Sequence, residues 1–263
     1  MKRIAALLTL AAAVCLSASS TVRADITTEN TNFIDKAYMD LLQVTPNPTE
    51  IANGLLALGS ETRYDFALSL DTSTSYYQLL VQSYIQGLLG RPASPTDLSG
   101  FTALLSSNSD EFVQAQIAGT PEFYLKSGGT DADFVTALYK DFLNRTPTSS
   151  ESAFFVGELS TMTQEQLASQ ILRLLEYDKD LVTSYYLQFL RRPADTAGLN
   201  AFAMDLNGGT QTDEQVIARM IGSDEYFNLA QTPGPAQTPE PRTVVLLGVG
   251  LATLILLRRQ LGG

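Results

Sequence analysis

The stretch FVTALYKDFLNRTPTSSESAFF, residues 134–155, returns in altered form as LVTSYYLQFLRRPADTAGLNAF, residues 181–202. Each begins with two apolar residues that recur three and four positions later, a spacing typical of one face of an α-helix. A proline then follows close behind an arginine. Because proline lacks an N–H and clashes with the preceding turn, it ends the helix. The pattern predicts a helix, a break and a second helix.

Two further copies of the pattern precede these, at residues 33–55 and 80–101. The copies align on residues 44, 91, 145 and 192, which are 47, 54 and 47 residues apart. Two sets of residues that can cap helix starts recur as well. The second helix of each unit is predicted to begin after Asn47, Ser94, Thr148 and Asp195, and the third after Thr62, Ser109, Thr163 and Thr212.

The body of the chain is therefore predicted to be all-α, built from four repeats of about fifty residues with three short helices each. Repeats one and two occupy residues 25–126, and repeats three and four occupy residues 134–228. A Gly-rich insert at 127–133 separates them, so we expect the repeats to pack as two pairs, one with two and three with four. A Pro-rich linker follows at 229–238.

The N-terminal segment, residues 1–24, has the pattern of a secretory signal peptide. Lys2 and Arg3 precede an apolar run, which ends in small residues. We expect signal peptidase to remove it, so that the mature protein is exported. The single cysteine, Cys15, lies in this run, and the chain contains no histidine. Catalysis or metal binding by cysteine or histidine is thereby excluded for the mature protein.

The C-terminal segment, residues 239–263, combines Pro239-Glu240-Pro241, an apolar run and the pair Arg258-Arg259. It resembles the PEP-CTERM sorting signal, which implies handling by an exosortase-type sorting enzyme in a bacterium that makes exopolysaccharide. Fifteen helical residues extend about 22 Å, less than the ~30 Å hydrocarbon core of a bilayer. We expect this hydrophobic helix to be the chain's one membrane contact, as a transient or permanent anchor.

Acidic residues outnumber basic ones by 28 to 17, giving a net charge of −11. Nucleic-acid binding driven by bulk charge is excluded, because phosphates require a positive surface. An enzyme built from this composition would have to rely on groups such as carboxylates. Glu214 with Glu225, or Asp178 with Asp180, are then candidate acid pairs for a hydrolase.

Several residues of the repeats resemble the helical repeat family known as domain of unknown function 4214. The clearest motifs lie in copies three and four; copies two and four match best as a whole and copy one least, and the resemblance covers roughly residues 32–228. It implies a helical fold in a secreted or surface-layer-associated bacterial protein and says little about activity. The residues concerned are Phe134-Val135, Leu138-Tyr139, Arg145, Pro147, Arg191-Arg192-Pro193-Ala194-Asp195, Gly198-Leu199 and Ser223-Asp224-Glu225-Tyr226.

A glutamate recurs 31 to 33 residues after the arginine of copies two, three and four. Copy one has Val44 and Ser75 at these positions and so loses both charges together. This joint loss predicts an ion pair within each unit, between the ends of the first and third helices, with a structural role. The predicted pairs are Arg91 with Glu122, Arg145 with Glu176, and Arg192 with Glu225.

Asp131 and Asp133 follow Gly128-Gly129 and have two interpretations. They favour the start of a helix, where acidic residues complement the helix dipole. The alternative is a calcium site made of carboxylates and loop carbonyls. Apart from calcium, no cofactor is expected.

Taken together, the sequence predicts an exported, non-enzymatic protein of the cell surface or extracellular matrix. Its expected partners are exopolysaccharide or other surface proteins. The alternatives are a cation-assisted glycan-binding module and a secreted hydrolase that uses carboxylates.

Overall fold

The computed structural model describes residues 26–232, and within this range it contains fourteen helices and no strand. The all-α prediction is confirmed. The predicted signal peptide, most of the linker and the sorting segment with Pro239–Pro241, Arg258 and Arg259 lie outside the described residues.

The helices follow the four units in order. Unit one contains α1 (residues 26–42), α2 (Pro48–Leu58) and α3 (Arg63–Asp71). Unit two contains α4 (Thr74–Tyr84) with a π-helical turn (Ile85–Leu89), α5 (Pro95–Leu105), α6 (Asp110–Ala118) and α7 (Pro121–Ser127). Unit three contains α8 (Asp131–Phe142), α9 (Ser149–Glu158) and α10 (Gln164–Leu172). Unit four contains α11 (Leu175–Phe189), α12 (Thr196–Asn207), α13 (Asp213–Ile221) and α14 (Asp224–Gln231).

The predicted helix caps are confirmed at all eight positions, because each side chain accepts a backbone N–H of the first helical turn. Thr163 and Thr212 form full capping boxes with Gln166 and Gln215. Such caps satisfy N–H groups that the helix itself leaves free. Local chemistry therefore decides where the second and third helices start.

The Gly-rich insert is shorter than predicted. The α7 helix continues to Ser127 and α8 already begins at Asp131, with Thr130 as its cap. The sequence analysis also missed two short helices, α7 and α14. Each restarts directly after a third helix because Thr120 and Ser223 supply new caps.

The predicted pairing of units is wrong. Among the described helices, α3 of unit one makes its most extensive contact with α13 of unit four, and α6 of unit two with α10 of unit three. A glycine lies at each junction. A Cβ added at Gly222 would lie 2.8 Å from the Tyr64 nitrogen, and one at Gly119 would lie 2.7 Å from Glu165 Cβ. Only glycine permits such a close backbone approach. This approach, and not the Gly-rich insert, therefore determines which units pack together.

The two halves of the molecule repeat the same packing. Phe123 of α7 meets Phe134 of α8 edge-on, with ring centroids 5.8 Å apart. Tyr226 of α14 meets Phe33 of α1 in the same way, at 5.9 Å. The first contact joins helices that are neighbours in the chain, and the second joins the two ends of the described region. Units one and four are therefore held together as units two and three are.

Each first helix ends on a residue in the left-handed conformation, directly before the alignment position. The φ angles are 57° at Gln43, 72° at Gly90, 52° at Asn144 and 56° at Arg191. Such a residue ends a helix before the proline is reached. Over residues 26–232 the structure contains no helix with the length and apolar character needed to span a membrane.

Candidate functional site

The three predicted ion pairs are present as a repeated structure that we call the arginine clasp, made of an arginine and its glutamate. The Nε and Nη2 atoms of Arg91 donate to the two carboxylate oxygens of Glu122 at 2.6 and 2.9 Å. The corresponding distances are 2.6 and 2.9 Å for Arg145 with Glu176. For Arg192 with Glu225 they are 2.5 and 3.0 Å. Each clasp is thus a bidentate, charge-assisted contact.

The position of the glutamate differs from the prediction. It lies in the first turn of α7, α11 or α14, and not at the end of the third helix. The third helix ends earlier, at Ala118, Leu172 and Ile221. Each clasp therefore joins the end of a first helix to the start of the helix that follows the third. For Arg145 that helix is α11, the first helix of unit four, so this pair crosses between units instead of lying within one unit as predicted.

Each clasp also holds a second carboxylate that the sequence analysis missed. Arg91 Nη1 donates to Asp97 Oδ2 at 2.7 Å, and Arg145 donates to both oxygens of Glu151 at 2.7 and 2.9 Å. In unit four the capping residue Asp195 takes this place, 3.5 Å from Arg192 Nη1. The signal was the acid six residues after Arg91 and Arg145.

The arginines keep these carboxylates ionised. Hydrogen bonds from Arg91 lower the pKa of Asp97 to about 2, and those from Arg145 lower the pKa of Glu151 to about 2. Hydrogen bonds from the arginines also lower the pKa values of Glu122 and Glu225. The side chains of these pairs remain partly exposed to solvent. A structural role for these paired charges at helix ends stays a prediction.

Unit one replaces the clasp with a contact between units. Val44 is half exposed, and Ser75 lies in the first turn of α4. Instead, Asp40 accepts hydrogen bonds from Arg191 at 3.1 Å and from the Tyr226 hydroxyl at 3.0 Å, both in unit four. Asp40 thereby connects α1 of unit one to unit four through hydrogen bonds.

Asp131 and Asp133 occupy the first turn of α8. Asp131 accepts a hydrogen bond from the Tyr124 hydroxyl at 3.0 Å, and Asp133 accepts one from the Thr130 hydroxyl at 2.7 Å. Within residues 26–232, no group of three acidic, cysteine or histidine side chains could hold a metal ion. These contacts match the helix-start interpretation of the two aspartates.

A second feature, which the sequence analysis did not predict, is a cleft of about 870 Å³ between the starts of α6 and α13. We call it the central cleft. The two helix starts contribute equivalent carboxyl pairs, Asp110 with Glu111 and Asp213 with Glu214. Asp178 of α11 also lines the cleft, and among the described residues Arg173 is the one basic side chain that does so. The cleft is therefore strongly acidic.

Two of these carboxyl groups are buried with incomplete hydrogen bonding. Asp110 and Asp213 are each 7% exposed. Tyr84 donates its hydroxyl to Asp110 Oδ2 at 2.6 Å, and Asp213 shares a hydrogen bond with Glu111. The Oδ1 atom of each aspartate is buried without a partner. Nearby, fully buried Asp71 at the end of α3 receives no hydrogen bond from another residue.

Burial shifts the acid–base behaviour of this region. Desolvation raises the pKa of Asp110 and of Asp213 well above the ordinary range, and neighbouring carboxylates add to the effect. The pKa of Asp71 rises to about 9 and that of Asp178 to about 6, in both cases mainly by burial. The cleft thus combines carboxyl groups that hold protons with half-buried Glu111 and Glu214.

The two acid pairs considered for hydrolysis are divided by the structure. Glu214 lines the central cleft, whereas Glu225 belongs to a clasp. Asp178 lines the cleft and accepts a hydrogen bond from Asn207 at 2.9 Å. Asp180 does not line the cleft. The one sign of the cleft in the sequence was an acidic pair directly after the caps Ser109 and Thr212.

Comparison with known proteins gives one match. Residues 114–176 and 173–230 each match the model of the family described as domain of unknown function (DUF4214). These segments cover units three and four and the end of unit two, a shorter range than the expected residues 32–228. No curated protein and no solved structure matches the chain. The chain is thus similar to this family over two adjacent segments, which leave most of copy two unmatched although copy two was expected to be among the best matches.

Proposed function

We propose that this protein is an exported, non-enzymatic scaffold of the cell surface or extracellular matrix, sorted by an exosortase-type enzyme and associated with exopolysaccharide. The observation that carries the proposal is the recurrence of the arginine clasp in three units. A catalytic group acts once at one site, whereas these side chains repeat and join helix ends. Their chemistry serves cohesion.

Two features of the sequence support the extracellular part of the proposal. The N-terminal segment has the order expected of a signal peptide. The C-terminal segment combines Pro239-Glu240-Pro241, an apolar run and Arg258-Arg259, the order that resembles the PEP-CTERM signal. The arginines after the apolar run favour a cytoplasmic C-terminus, which leaves the helical body outside.

Fractionation tests this proposal directly. The intact mass of the protein is measured in medium and envelope fractions from cells with and without the exosortase. We expect a mature N-terminus near Asp25 and loss of the C-terminal segment only when the exosortase is present. An intact C-terminus in every fraction would contradict sorting, and an intact N-terminus with the protein inside the cell would contradict export.

The central cleft favours a second candidate, a secreted hydrolase. Asp178, with its pKa raised to about 6 by burial, lies in the range suited to a general acid. Release of reducing ends from the producer's polysaccharide is the measurement. If the candidate is right, Asp178→Asn abolishes release while Asp180→Asn, which makes the same change outside the cleft lining, leaves it intact. No release by the wild-type protein would reject the hydrolase.

A further inference from the structure

The central cleft contains acceptor atoms without donors. Asp110 Oδ1, Asp213 Oδ1 and Gln211 Oε1 are all buried, and none has a hydrogen-bond partner. All three residues line the cleft. Buried polar atoms are normally hydrogen-bonded, so these acceptors favour a ligand that brings its own donors. Such a ligand would supply N–H or O–H groups.

The charge of the cleft restricts that group further. Five carboxyl-bearing residues line it, namely Asp110, Glu111, Asp178, Asp213 and Glu214. Among the described residues that line the cleft, Arg173 is the one basic side chain. An anionic ligand would be repelled, and a cation would be attracted.

A metal ion is the less suitable cation. No three carboxylates in the described region are arranged to hold one. A primary ammonium needs no such coordination sphere, because it is a compact charge with three donors and no acceptor. Its three N–H donors can form hydrogen bonds with the unpaired acceptor oxygens of the cleft.

The size of the cleft and its other lining residues indicate what kind of ligand carries the ammonium group. A volume of about 870 Å³ exceeds that of a single ammonium group and falls within the range of small-molecule sites. Tyr77 and Phe112 contribute aromatic rings, and Asn108 and Asn207 contribute amide groups. The ligand therefore carries its ammonium groups on a larger skeleton.

We propose that the central cleft binds a ligand that bears primary ammonium groups, supplied by an amino-sugar oligomer or by a free polyamine. The inference does not depend on export or sorting. Binding replaces the hydrogen bond that Asp213 shares with Glu111 by hydrogen bonds from the ammonium. The ligand thus competes with protons already held in the cleft.

Several titratable groups surround this site. Carboxyl groups approach from α3, α6, α11 and α13, and tyrosine hydroxyls approach from α4 and α11. Burial raises the pKa values of the aspartates, so ionisation on ligand binding releases protons. The groups are Asp71, Asp110, Glu111, Asp178, Asp213 and Glu214, with Tyr76, Tyr77, Tyr84, Tyr177 and Tyr185 and the exposed Arg173.

The test is calorimetric titration of the full chain with three probes, namely a glucosamine trimer, its fully N-acetylated form and spermidine. We expect at least one of the two amines to bind. The N-acetylated trimer, which has the same skeleton without charge, should not bind. Titrations at pH 7 in buffers of different ionisation enthalpy should show that binding releases protons. Tight binding of the glucosamine trimer identifies an amino sugar, and tight binding of spermidine identifies a polyamine.

Variants assign the binding to the cleft. Glu111→Gln with Glu214→Gln changes half-buried residues and should weaken the bound amine by about tenfold or more, which corresponds to about 1.4 kcal/mol. Asp131→Asn, a charge change in the first turn of α8, should leave the affinity unchanged. Binding of neither amine, equal binding of the N-acetylated trimer, or equal affinity in the cleft variant would overturn the proposal.

Discussion

The pKa values of carboxyl groups shift in opposite directions in the arginine clasps and in the central cleft. In the clasps, Glu151 and Asp97 are partly exposed and hydrogen-bonded to an arginine, and their pKa values fall to about 2. In and beside the cleft, Asp71 and Asp110 are buried without a cationic partner, and their pKa values rise. The same functional group thus stabilises the fold in the clasps and destabilises it in the cleft region.

The comparison shows where the helical scaffold is optimised for stability and where it is not. Burying a carboxylate without a partner is unfavourable, so such a group stays protonated or weakens the fold. The clasp arginine recurs in units two, three and four, whereas the cleft is lined by all three of these units together. Unpaired buried carboxyl groups lower the stability of the fold, and groups with such perturbed pKa values cluster at functional sites.

The largest expected effect is on the pH dependence of stability, to which the two regions contribute with opposite sign. Folded Asp71 keeps its proton to a pKa of about 9 whereas the unfolded chain loses it near 4, so stability falls as pH rises between these values. From pH 5 to pH 8 the loss is about 4 kcal/mol for this one group. The clasp carboxylates have lowered pKa values, so their contribution is lost as pH falls below about 4.

Urea denaturation from pH 3 to pH 9 measures this dependence. We expect a maximum of stability at about pH 4 to 5, with a decline on both sides. A flat profile from pH 5 to pH 8 would mean that the central carboxyl groups are ionised in the folded protein.

Replacing Asp71 by leucine should stabilise the protein. Leu172 occupies the equivalent position of unit three and is buried, so the substitution copies one unit into another. At pH 7 we expect a gain of about 2 to 4 kcal/mol, because an unpaired buried carboxyl group is removed. The melting temperature is the measurement, with Asp131→Asn as the charge control. A lower melting temperature for Asp71→Leu would show that Asp71 has a stabilising partner.

Replacing Arg145 by methionine removes the centre of one clasp. The variant should lose about 1 to 2 kcal/mol, because Glu151 and Glu176 are left without their shared cation and the contact is partly screened by solvent. Arg219→Met, which removes an exposed arginine outside both the clasps and the cleft lining, is the matched control. Equal melting temperatures for the two variants would contradict a structural role for the clasp.

The smallest effect is expected from building a clasp in unit one. Val44→Arg with Ser75→Glu restores the residue types of the other three units. A double-mutant cycle at moderate salt should give a favourable coupling of below about 1 kcal/mol, as is usual for exposed ion pairs. No coupling would mean that the geometry of the clasp does not extend to unit one.

Much of the fold could be predicted from local sequence. The caps Asn47 and Thr212 and the arginine–glutamate pairs are visible because they depend on short spacings or on repetition. The pairing of units was not visible, because it depends on close backbone contact at Gly119 and Gly222, far apart in the chain. The insert at 127–133 suggested a boundary where the chain makes a turn of three residues, 128–130.

The central cleft was harder to predict than the clasps. Asp110 and Asp213 follow helix caps, where acidic residues are ordinarily exposed and favourable. They are buried where the starts of α6 and α13 approach each other across units, and no local pattern reports this approach. Asp178 was considered as half of an acid pair with Asp180, but it is buried at the cleft, where Asn207 donates a hydrogen bond to it.

Carbon-13 NMR titration of the side-chain carboxyl groups in the full chain tests the contrast between the two regions most directly. We predict that Asp71 is still protonated at pH 7 and that Asp110 and Asp213 ionise well above the ordinary range of an aspartate, while Glu151 and Asp97 are ionised at about pH 4. Ionisation of all five groups below about pH 5.5 would contradict this prediction.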